Sequence, residues 1–252
     1  MKEQIKLFSV SHKIISAIPK GRVLIGVGTA DDLTCFKYRD NTADNITQKN
    51  NNYCELTALY WIWKNIDADY IGFEHYRRFF CRKSLFKSSV LTQKKILKLL
   101  KTHDVILPKQ LRAKPNIYDY YSKEHCKEDL DICLNIINSD YPEFSEAAND
   151  VMNSDKLSLF NMFVMPQAYV DEYCKWLFDI LFKAERKIDL SDKDAYQRRV
   201  FGFLSERLFN VWLRKKNFNA YYAPVYNVGD CPLVFKFRGL FRRLKKFLNN
   251  EQ

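Results

Sequence analysis

The residues best suited to chemistry stand together in Glu74-His-Tyr-Arg-Arg78, directly after the apolar run Tyr70-Ile-Gly-Phe73. An apolar strand that ends in titratable groups delivers them to the rim of a sheet, and in open α/β sheets ligands bind outside the carboxyl ends of the strands. Arginine forks match phosphate oxygens. Cations placed there would stabilise a departing diphosphate electrostatically, without requiring a metal. If the strand stays extended past Phe73, His75 and Arg77 share one face and Arg78 lies opposite. The stretch reads as running on from the strand without a turn; all of these groups would converge on one ligand only if the chain turned after His75. The plainer alternative is an edge strand whose arginines face water, one of them in an ion pair.

Other polar groups are placed where strands and helices should begin or end. Ile5–Val10 reads as a first strand leaving through Ser11-His12-Lys13, and 23–28 as a second. Residues 29–52 form a polar, turn-rich excursion that contains Asp44, Asn45 and Asn50; loops of that length are often binding loops. Tyr53–Asn65 is predicted as one helix capped by one of Asn50 to Asn52. Leu56, Leu59, Tyr60 and Trp63 lie on its buried face. Glu55 in the first turn either complements the helix dipole or reaches a ligand. Asn161 interrupts an apolar strand over 157–165 and must bind a sugar hydroxyl or brace a loop, because an unpaired buried amide costs about 1–3 kcal/mol. Tyr196-Gln-Arg-Arg opens a long helix over 195–216 in which Glu206 is either the partner of Arg207 or a general base for an acceptor hydroxyl.

Between these lie a helix capped by Thr92, with Ile96, Leu99 and Leu100 on its buried side, further helices over 126–138, 142–152 and 167–187, and strands at 104–108 and 221–228. Strand, helix and strand recur, which favours a mainly parallel α/β sheet. There is no repeat and no clean linker, so 1–230 reads as one domain and 231–252 as a tail.

Several classes are excluded. There is no phosphate-loop, dinucleotide-fold or nucleophile-elbow motif, and none of the four histidines pairs at i, i+4. Asp67-Ala-Asp69 has the D-x-D form that holds Mg2+ or Mn2+ against a diphosphate, but it precedes its strand and so belongs at the wrong edge. Seven scattered cysteines without a C-x-x-C pair point to a reducing compartment. The N-terminus lacks the apolar core of a signal peptide, and no run is long enough to span a bilayer. Six of the net eleven positive charges fall between Lys236 and Lys246. With Leu233, Phe237, Leu240, Phe241, Leu244, Phe247 and Leu248 at steps of one, three and four, residues 233–248 read as a basic amphipathic helix that lies on an anionic membrane or packs on the body. The charge is therefore local, which argues against a nucleic-acid-binding body.

The chain resembles the bacterial DUF4422 family of capsular and exopolysaccharide glycosyltransferase-like proteins. The resemblance rests on Ser11-His-Lys13, Asp44-Asn-Ile46, Lys49-Asn50, the segment Tyr53–Asn65, Gly72-Phe-Glu-His-Tyr-Arg-Arg78, Asn161–Met165 and Val200–Arg207. It implies a GT-A-like (Rossmann-like) sheet flanked by helices. It also implies transfer of a sugar of galactose type from a UDP-linked donor to a lipid-linked glycan acceptor, in capsule, exopolysaccharide or O-antigen synthesis at the inner face of the plasma membrane. On that footing His75 and Glu206 are the catalytic candidates. His12, Lys13, Asp44, Asn45, Asn50, Glu55, Arg77, Arg78, Asn161 and Gln197 are the donor- or substrate-binding candidates. No residue is assigned to a metal; Mg2+ or Mn2+ stays open as cofactor, with a metal-independent mechanism favoured. One departure bears on the loop: Ala43 stands where the family usually has glycine, so a left-handed backbone there would be strained. The alternative of another class is a membrane-associated scaffold that binds glycan or partner proteins without catalysis.

Overall fold

The computed structural model describes residues 3–15, 17–29, 36–83 and 88–228. The basic segment 233–248 lies outside the described residues, as does the tail beginning at 231.

A central sheet carries seven strands in the order β3 (Tyr38–Arg39), β2 (Arg22–Gly26), β1 (Ile5–Ser11), β4 (Tyr70–His75), β10 (Phe163–Pro166), β7 (Val105–Pro108) and β11 (Ala220–Ala223). Among these seven, β10 alone is antiparallel to its neighbours. The fold is thus the mixed, mainly parallel α/β sheet expected from the sequence. The carboxyl ends of β1, β2 and β4 and the amino end of β10 all open on one edge.

Strand alternation explains why both faces are covered. Phe8, Val10, Ile71, Phe73, Val105, Leu107, Phe163 and Met165 point into the larger core cluster, whereas Leu7, Ile106 and Val164 point to a smaller one on the other face. The large face is covered by α2 (Leu56–Asn65), α7 (Gln167–Glu185) and α8 (Val200–Lys216), with α5 (Lys127–Asp140) and α6 (Ser145–Asn153) packed outside. On the small face lies α3 (Gln93–Leu100), whose N-cap Thr92 accepts from Lys95 N as the sequence predicts. Gly72 sits where β4 crosses Leu7 and Val164; a Cβ there would collide with the Leu7 side chain.

Four sequence expectations are corrected. First, the chain does turn after His75. Tyr76 and Arg77 form a two-residue hairpin loop, and β5 (Arg78–Lys83) returns antiparallel with His75 opposite Arg78. Tyr76 N–H donates to Val10 O (3.0 Å) and Val228 N–H to Arg77 O (2.8 Å), which pins the tip.

Second, the helix expected over Tyr53–Asn65 is broken. A short α1 (Asn50–Tyr53) ends at Cys54, whose φ is 53°, before α2 begins. Asn50 does not cap from outside. Its amide donates to Cys54 O and Thr57 Oγ1 across the break.

Third, the strand expected over 157–165 is interrupted. After β9 (Lys156–Leu157), Phe160 and Asn161 take φ values of 76° and 51°, and β10 starts only at Phe163. Fourth, Pro224 divides the last strand into β11 and β12 (Val225–Asn227), and β12 pairs with β5.

Candidate functional site

At the carboxyl edge of the sheet opens a cavity of about 1440 Å³. It exceeds the roughly 300–1,000 Å³ of a usual small-molecule site. The hairpin tip contributes His75, Tyr76, Arg77 and Arg78, and the end of β1 contributes Ser11 and His12. Five arginines line it (Arg77, Arg78, Arg198, Arg199 and Arg207) against three glutamates (Glu55, Glu124 and Glu206). That balance suits an anionic ligand.

The tip is organised by ring contacts. Tyr76 packs edge-on against His12 with centroids 5.4 Å apart, and the charges of Lys13 and Arg77 lie 5.5 and 4.8 Å from its ring. The Ser11 hydroxyl accepts from Lys13 N and donates to Lys13 O, which curls the chain so that His12 faces the cavity. Burial, and then the charges of Lys13, Arg77 and Arg199, hold the His12 imidazole below its ordinary pKa. A cluster of cations that resists a further proton is poised for an anion.

Behind the tip, the left-handed turn at Phe160–Asn161 is clamped from both sides. His75 Nε2 meets Phe160 O at 2.6 Å, and Glu206 Oε1 accepts from Phe160 N at 2.8 Å. The second oxygen of Glu206 pairs with Arg207 Nη1 at 3.0 Å. Burial pushes its carboxyl above the usual carboxylate range, while Arg207 and the Phe160 N–H pull the other way. Both Glu206 oxygens are therefore engaged, and the group supports the turn. Asn161 is buried, and its amide donates to Glu55 Oε1 and Ser205 Oγ, each at 2.9 Å. Arg78 lies over the Phe160 ring at 4.3 Å. Two consecutive left-handed non-glycine residues are costly, and five side chains, His75, Glu206, Glu55, Ser205 and Arg78, hold them in place.

The expected residues therefore divide. His12, Asn50, Glu55, His75, Arg77, Arg78 and Glu206 line one cavity. Lys13 stands beside it on the Tyr76 ring. Asn161 acts from underneath, and of its two readings the brace is the one with contacts to show. Asp44 and Asn45 stand away from the cavity. Asp44 accepts from Tyr60 OH, and the Asn45 side chain accepts from Thr47 N and donates to Ala43 O. Ala43 has φ 48°, so the strain anticipated at that position is present. Gln197 works through His125: its Oε1 lies 3.0 Å from His125 Nδ1 while its Nε2 donates to Glu124 O.

Glu74 is a core residue. It is fully buried, paired with Arg22 through two contacts of 2.8 and 3.2 Å, and it accepts from Phe80 N. Asp69 fastens the opposite edge, where its carboxylate accepts from Gln4 N, so the D-x-D pair is indeed remote from the cavity. Among the described residues no group of three His, Cys, Asp or Glu side chains converges to hold a metal.

Sequence reasoning missed the second half of the cavity wall. Tyr120, His125, Tyr196 and Phe203 line it together, although they come from α4 (Ile117–Glu124), the residue after it, the turn before α8 and α8 itself. Their only sequence signal was an aromatic residue beside Arg198 and Arg199 at a helix start.

The comparisons agree with this geometry. A solved structure titled "WbbM bifunctional glycosytransferase apo structure" superposes with a TM-score of 0.82 at 29% identity, covering 90% of this chain and 46% of that one. The chain thus spans about half the length of that protein. A comparison with curated proteins gives no match. Residues 6–217 match the family described as "Domain of unknown function (DUF4422)", and the chain belongs to that family.

Proposed function

We propose that the chain is a glycosyltransferase that uses a nucleotide-linked sugar, UDP-linked and of galactose type, as donor and a lipid-linked glycan as acceptor. The observation that carries this reading is the cationic hairpin tip at the carboxyl end of β4, set in a cavity of a fold shared with a glycosyltransferase. Arg77, Arg78 and His12 take the diphosphate, and the charge that develops as the sugar departs is stabilised there. His75 and Glu206 hold the Phe160–Asn161 turn that forms the floor. Glu55 lines the cavity with one oxygen held by Asn161, and among the described residues its Oε2 has no hydrogen-bond partner, so it is the carboxylate best placed to accept a proton from the incoming hydroxyl.

The membrane part of the proposal rests on the composition of 233–248. No described helix is long and apolar enough to cross a membrane, so contact would be at the surface. Deleting 233–248 should release the protein from anionic vesicles; unchanged binding would remove the tail from the account.

The direct test is a panel of nucleotide sugars, read by thermal shift and by donor turnover with and without EDTA. Stabilisation and turnover with one UDP-sugar are expected. Full activity in EDTA would support stabilisation by the cations alone, and loss rescued by Mn2+ would assign part of that work to a metal. No response to any donor would favour the non-catalytic scaffold.

A further inference from the structure

The cavity is larger than one donor needs, and its two halves differ in chemistry. The hairpin side carries Arg77 and Arg78. On the other side Tyr120, His125, Tyr196 and Phe203 line the cavity beside Arg198, Arg199 and Arg207, and the rings of His125, Tyr196 and Phe203 touch one another. His125 stacks on Phe203 (centroids 4.1 Å apart, planes 22° apart) and lies nearly parallel to Tyr196 at 6.0 Å, while Tyr196 and Phe203 are 5.1 Å apart. Tyr196 remains 51% exposed, although large exposed aromatic surface in a cavity is costly to leave wet.

The orientation of the His125 ring in this wall is fixed by a side-chain contact. Glu124 O can only accept, so the Gln197 NH2 group must face it and Gln197 Oε1 must face His125. His125 therefore donates from Nδ1. Burial lowers its pKa, with the Gln197 contact pulling the other way. The Glu124 side chain lines the same half of the cavity and is exposed, which disfavours an anion there and offers acceptors to hydroxyls.

We infer that this wall is the acceptor subsite and that it takes a neutral saccharide, with the apolar C–H face of the sugar ring lying on Tyr196 and Phe203 and its hydroxyls reaching the Glu124 carboxylate. Stacking of an apolar ring face on an aromatic side chain supplies contact area without charge, and a polar tip at its edge fixes orientation. Arg199 lies over the same two rings, 5.9 Å from the centre of Tyr196 and 5.5 Å from that of Phe203, and adds a donor to hydroxyls beside them. The inference rests on the transferase reading for its meaning as an acceptor site, but binding of saccharide can be measured separately.

The test uses the full chain with UDP present and three neutral probes: the octyl β-glycosides of galactose, glucose and N-acetylglucosamine. Binding is followed by saturation-transfer NMR and titration, and UDP-galactose affinity is measured in parallel. At least one glycoside should bind the unaltered protein. Tyr196→Ala should weaken it about tenfold, and Tyr196→Trp should retain it within about threefold. Glu124→Gln should weaken it without touching donor affinity. Because Tyr196 is half exposed, its removal should leave the melting temperature unchanged. Three results would overturn the inference: unchanged saccharide affinity in Tyr196→Ala, equal loss of donor and saccharide affinity, or no glycoside bound by protein that binds UDP-galactose. If UDP-galactose fails to bind while Tyr196-dependent saccharide binding persists, the transferase reading falls and the subsite stands.

Discussion

His12 is the group whose charge the surroundings control most openly. Burial and three neighbouring cations keep its folded pKa below 6.5, so as pH falls the unfolded chain takes up the proton first. Its contribution to stability is therefore intact above pH 6.5 and is lost as pH falls from there through the folded value. A diphosphate placed among Lys13, Arg77 and Arg199 would cancel their field and raise that pKa, so binding should take up a proton. The affinity for UDP-galactose should increase as pH falls from about 7.5 to about 5.5, and His12→Asn should flatten the profile. Calorimetry in buffers of different ionisation heat would detect the proton. Glu206 makes a separate case. Glu206→Ala strips Phe160 N–H of its acceptor and leaves Arg207 unpaired, so it should destabilise the fold by about 1–3 kcal/mol. Glu206→Gln keeps an acceptor and should cost less. Urea unfolding of the two variants checks the order, and equal costs would argue that the clamp is not made through that contact.

The element that organises the site is the β4–β5 hairpin. A period of two placed His75 and Arg77 on one face, and that reasoning was sound for a strand. What it lacked was the turn, because Tyr76-Arg77 carries none of the glycine or asparagine that usually marks a two-residue loop. The turn is held instead by tertiary contacts from Val10 and Val228, invisible in a local reading. The break at Cys54 and the turn at Phe160–Asn161 each use left-handed non-glycine residues, which carry no glycine signal. At Phe160–Asn161 the partners are far along the chain, whereas Cys54 is bridged by the nearby Asn50 amide. By contrast, the edge to which β4 delivers its polar end was legible, since apolar run and polar exit fix a strand's direction. Glu74 belongs to this scale: alternation turns it away from His75 and into the small core. Glu74→Ala should cost about 3–5 kcal/mol by stranding the buried Arg22 guanidinium. It should act by unfolding the sheet, which a lowered urea midpoint with unchanged donor affinity at low temperature would show.

Across the whole molecule, sheet class, the parallel majority and the helical order could be read from periodicity, because each element has a face that must be buried. The cavity could not. It is assembled from 11–12, 50–55, 75–78, 120–125, 159–160 and 195–207, and only a family resemblance or coordinates join such distant segments. The aromatic half went unseen because tyrosine and phenylalanine are usual in cores and carry no spacing signal. The central claim is that the hairpin tip receives a nucleotide diphosphate. It is tested most directly by calorimetric titration of UDP, with uridine as control, into the unaltered protein and the Arg77→Ala, Arg78→Ala double variant. The account predicts saturable UDP binding, little binding of uridine, and a loss of about tenfold or more in the variant at a temperature where it is fully folded. Equal affinity for uridine and UDP, or a variant that binds UDP as tightly as the parent, would contradict it.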